Sequence, residues 1–107
     1  MADTGDKART AFLEHEHRMM AEAMAGLGRP MPPRADRTAA CGAGGMVFAG
    51  SPGEIAGRVL HLHGLLGHTR QILQMDVGGV PPRDFPRGIE LLGTKALPRI
   101  RTELATR

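Results

Sequence analysis

The sequence predicts an α/β fold, helix-rich with one or two short strands, and three observations predict it. Apolar residues recur at spacings of three and four over three stretches, the signature of helices that bury one face. Two short runs are bounded by Gly, Pro and polar turn formers: residues 71–77 read as a strand, and residues 46–49, only four long, as a strand or a buried loop. Helical and extended stretches alternate along the chain, and that alternation favours an α/β class.

The first element is an amphipathic helix over residues 7–27. Leu13, Met20, Met24 and Leu27 fall on one stripe, with Phe12, Met19 and Ala23 beside it. Gly26, Gly28 and Pro30 stop it. Residues 29–45 are rich in Pro, Arg, Ala and Gly without a period and read as an irregular connector. The chain thus divides into residues 1–45, helix plus connector, and residues 46–107. After the short apolar run at Met46 to Ala49 comes the clearest local signal. Ser51 is placed as an N-cap, Pro52 occupies the first helical position where its missing N–H costs nothing, and Glu54 can reach back to the cap. The helix that follows buries Ile55, Val59, Leu62 and Leu66 and ends around Gly64 to Gly67.

Gln71 to Val77 is the second strand, with Leu73, Met75 and Val77 on one face and Ile72, Gln74 and Asp76 on the other. Gly78 to Pro86 is a loop with three prolines. The last helix runs from about Arg87 to Ala105 on the stripe Ile89, Leu92, Ala96, Ile100 and Leu104. Pro98 falls inside that stripe and should kink or interrupt it, because proline removes a backbone donor and crowds the preceding turn.

Composition limits what these elements can build. Of 107 residues, 23 are Gly or Pro and only three are aromatic, all Phe, so the core is small and Met and Ala fill it. The net charge is +3, and 12 of the 14 basic residues are Arg. Up to Glu54 there are 6 basic and 7 acidic residues; beyond it 8 and 4. The later arginines are scattered rather than clustered, which reads as solvated helix faces more than as a nucleic-acid surface. One cysteine precludes an internal disulfide and fits a reducing compartment. No stretch has the pattern of a secretory signal or a membrane span, so the chain reads as cytoplasmic.

The chemistry-bearing residues are few. His15 and His17 lie about 200° apart on a helix, and His61, His63 and His68 are interrupted by glycines, so neither group has a zinc-like spacing. Cys41 sits among small residues that leave its thiol accessible, with no basic neighbour in sequence to activate it, and reads as inert. Gly42 to Gly45 lacks the Lys and hydroxyl residue of a phosphate loop. Asp76, Gly78 and Gly79 are the one site-like group. They stand at the end of a predicted strand, where a carboxylate faces inward and glycines admit a ligand close to the backbone, and Gln74 shares that face. The alternative is a plain turn in which Asp76 caps backbone N–H groups.

Gly50-Ser51-Pro52-Gly53-Glu54-Ile55-Ala56, then Ile72 to Pro81, then Ile89-Glu90-Leu91-Leu92-Gly93 and Leu97-Pro98 resemble, in order and spacing, the C-terminal end of the bacterial luciferase-like flavin-dependent monooxygenases and oxidoreductases. That resemblance covers residues 46–105, and the first helix more loosely. It implies the C-terminal portion of a (β/α)₈ TIM barrel, incomplete because such a barrel needs about 250 residues. It implies flavin mononucleotide (FMN) or the deazaflavin F420 as cofactor, no catalytic residue in this segment, and Gln74, Asp76, Gly78 and Gly79 at the pocket mouth. Two functions stay open. One is a flavin-dependent oxidoreductase that works only when the missing strands are supplied. The other is a non-catalytic relic or interaction protein that self-associates or pairs with a complementary barrel fragment.

Overall fold

A computed structural model describes residues 1–42, 45–75 and 83–106. Among them are five α-helices and no strand: α1 Gly5–Leu27, α2 Arg34–Ala40, α3 Pro52–Leu66, α4 Asp84–Leu91 and α5 Leu97–Ala105, with a π-helical turn, Leu92–Ala96, joining the last two. This overturns the α/β class and the barrel portion expected from the sequence.

The two expected strands fail for a physical reason. An extended segment must find partners for its backbone donors and acceptors, and a lone strand has none. Residues 46–49 find them elsewhere. The Val47 N–H donates to the Ala40 carbonyl at 3.1 Å, and Arg58 donates to the carbonyls of Val47 and Gly45. Residues 71–75 are irregular and join no ladder, and 76–77 lie outside the described residues.

α3 begins as its sequence dictates. The Ser51 hydroxyl accepts from the Glu54 N–H, and the Glu54 carboxylate accepts from the Ser51 N–H, each at 3.3 Å, with Pro52 in the first turn. It ends at Gly67, whose φ of 61° is left-handed backbone that only glycine adopts cheaply. α1 is capped by Thr4 and stops at Gly28 in the same conformation. The connector contains a helix missed by periodicity, α2, too short for a stripe to repeat.

α3 packs against the π turn and α5, while α4 packs against the π turn. Ala56, Val59, Leu60 and Ile100 form the buried cluster, with Phe48 and Leu104 against it, and Ile55 and Leu91 are the largest fully buried side chains. Leu62 is half-buried and Leu66 exposed, so the buried face of α3 is rotated from the expected stripe.

Pro98 interrupts the last helix without stopping it. The turn before the proline widens, so that the Leu97 N–H bonds five residues back to the Leu92 carbonyl. A wider turn draws the preceding carbonyls away from the pyrrolidine ring. It also shifts the face: Leu91, Ala96 and Ile100 are buried, whereas Ile89, expected on the stripe, is exposed. Helix formation starts at Asp84, three residues earlier than expected.

Candidate functional site

Of the four residues expected at a pocket mouth, Gln74 alone is described; Asp76, Gly78 and Gly79 lie outside the described residues. Gln74 is exposed on an irregular segment rather than on a strand. Its amide offers one hydrogen-bonding group and no wall. The ring of Phe48, the aromatic nearest the core cluster, is already covered by the Arg58 guanidinium, 4.3 Å from its centre.

An open cavity of about 620 Å³ lies between α1, the end of α2 and α3, and is lined by Arg9, Thr38, Cys41, Glu54, Arg58 and His61. Its cations are engaged. Arg9 donates to Glu54 at 2.7 Å and to Asp6 at 3.2 Å, and those two hydrogen bonds raise its pKa. The Arg9 guanidinium, followed by the Ser51 N–H, holds the Glu54 carboxyl below the usual carboxylate range. Arg58 spends two nitrogens on loop carbonyls, so it is a staple and not the solvated residue expected from the sequence. The Cys41 thiol is buried rather than accessible. Burial pushes its pKa up, and Glu16 adds to this against the opposing arginines, so the thiolate a nucleophile requires is disfavoured.

A second built feature fastens α2 to α1. Glu16, 4% exposed, receives two hydrogen bonds from Arg37 at 2.5 and 2.8 Å. The paired fork satisfies a carboxylate that could not be buried alone. Sequence reasoning missed it because the partners are 21 positions apart with no shared period.

The fold leaves several large apolar side chains uncovered. Leu65 and Leu66, on the last turn of α3, are 69% and 68% exposed, and Ile72 just beyond is 80% exposed. On α1, Leu27 and Met19 are also exposed. The total accessible surface is 7215 Å², about 1,400 Å² above the roughly 5,800 Å² typical of a folded monomer of this mass. Leu65, Leu66 and Ile72, close in sequence and all exposed, are the candidate functional surface. Among the described residues no helix is long and apolar enough to cross a membrane.

No protein-family model matches the chain, and no curated protein matches it significantly.

Proposed function

We propose that this chain is a non-catalytic helical segment of a luciferase-like flavin-dependent oxidoreductase, docking through Leu65, Leu66 and Ile72 on the polypeptide that holds FMN or F420. The exposed apolar cluster at the end of α3 carries the reading, because it lies inside the stretch that resembles that family. Each large aliphatic side chain that leaves water contributes up to about 1.5–3 kcal/mol, so three suffice to anchor an interface of modest affinity. The ordered charges of the cavity serve the fold, and redox chemistry belongs to the partner.

The test has two arms. Flavin fluorescence should stay unchanged when the purified chain is titrated with FMN or F420 to high micromolar concentration; tight binding by the chain alone would sink the non-catalytic reading. The hydrophobic dye ANS should bind the isolated chain, and Leu65→Glu with Leu66→Glu should abolish that binding while circular dichroism is retained. Wild-type chain that binds no ANS would defeat the docking surface.

Self-association is the second reading, favoured by a second apolar group on α1 at Met19 and Leu27. Sedimentation velocity separates the two readings: a dimer dispersed by the same double substitution supports self-pairing.

A further inference from the structure

The sequence spacing of the histidines argues against a shared ion, yet the left-handed turn at Gly67 brings two of them together. His63 is in the last turn of α3 and His68 follows the cap, with ring centres 5.7 Å apart and planes tilted by 49°. Zn–N bonds of about 2.0–2.1 Å place two imidazoles on one tetrahedral ion with ring centres roughly 5–6 Å apart. The pair already has that separation.

The hydrogen bonds around His68 define which nitrogen is free. The Gln71 amide donates through Nε2 to the Ile72 carbonyl at 3.3 Å, which turns its oxygen, Oε1, toward His68 Nε2 at 2.8 Å. An amide oxygen only accepts, so Nε2 of His68 carries the proton and a neutral ring keeps its lone pair on Nδ1. Nδ1 is buried and has no partner among the described residues. A ring nitrogen with a lone pair, whose other nitrogen donates to a carbonyl oxygen, is the arrangement found in metal-ligating histidines. The final carbonyls of α3 add negative potential at the same end.

We propose that His63 and His68 form a two-histidine site for a borderline divalent transition-metal ion, Zn²⁺ being the reference, with Gln71 orienting His68 and water completing the coordination. A bound ion would clip the segment after Gly67 to the end of α3. Imidazole donors select zinc, copper or nickel over magnesium and calcium. The proposal is independent of the flavin reading, since neither ring belongs to the apolar docking cluster.

Untagged full chain titrated with ZnCl₂ and followed by imidazole NMR should show the His63 and His68 resonances shifting together, with His15, His17 and His61 unmoved and MgCl₂ without effect. His63→Asn or His68→Asn should weaken Zn²⁺ binding at least tenfold by calorimetry, and Gln71→Leu about tenfold, as for other groups that orient a ligand. His61→Asn should leave it unchanged. Circular dichroism verifies that the variants fold, and the NMR reading of the unaltered chain stands without them. Zinc that moves only the other histidines, moves none, or binds His68→Asn as tightly as wild type would overturn the site.

Discussion

Glu54 shows how much one side chain can carry. Sequence chemistry identifies it as half of a capping box, and the structure adds an ion pair with Arg9, 45 positions away, and a seat over Gly5, where a Cβ would collide with its carboxylate. Long-range pairing has no local signature, which is why the cap was legible and the rest was not. Because Arg9 lowers the folded-state pKa, the stabilisation is fully present above the unfolded carboxylate value of about 4.3 and is lost as pH falls through the lower folded value. Glu54→Gln should remove that acid-limb dependence, read as the midpoint of thermal unfolding against pH between about 5 and 2. Gly45 is constrained by backbone rather than by a movable side chain, since its Cβ would strike the Ala40 carbonyl. Gly45→Ala should cost about 1–3 kcal/mol in urea unfolding; an unchanged midpoint would contradict that contact.

Among the elements, α3 was the most readable and the strands were the least. Its Ser-Pro-Gly-Glu start and Gly67 stop are local chemistry, so each could be read from residues within four positions. Ser51→Ala should cost about 1 kcal/mol, measured by denaturant unfolding, with exchange of the first-turn amides accelerated. Short apolar runs, by contrast, look alike whether they enter a sheet or are claimed by a neighbour. Arg58 supplies the deciding partners for the 45–48 loop, and nothing in the order of residues announces that this arginine turns inward. The interruption that Pro98 implies is present in the final helix. The π turn that accommodates the proline resets the buried face by a fraction of a turn, which is why Leu91 and not Ile89 reaches the core.

For the whole molecule, the shortage of aromatic residues foretold a small core, and the structure is correspondingly extended. Its radius of gyration is 15.0 Å, against about 13 Å for a compact domain of this length, and its longest dimension is 50 Å. Of the candidate site, the resemblance marks out the stretch, but the proposed docking surface lies in leucines that helical periodicity assigns partly to the core. Leu66 is expected inside because its spacing continues the stripe; among the described residues no element covers it.

The attachment of α1 has a consequence for how the molecule comes apart. Its buried residues are Gly5, Ala8 and Glu16, and the region is fastened by Arg9–Glu54, Glu16–Arg37 and, just before the helix, Asp3–Arg87. The α3–α5 cluster is held by aliphatic contact. Ions in solution weaken the first kind of fastening, with a screening length of about 3 Å at 1 M, and leave the second intact or strengthened. Ionic strength should therefore act as a selective latch release: at 1 M NaCl amide exchange rises along the first half of α1 while α3 and α5 keep their protection. Uniform exchange across all the helices would show instead that the chain opens as one unit.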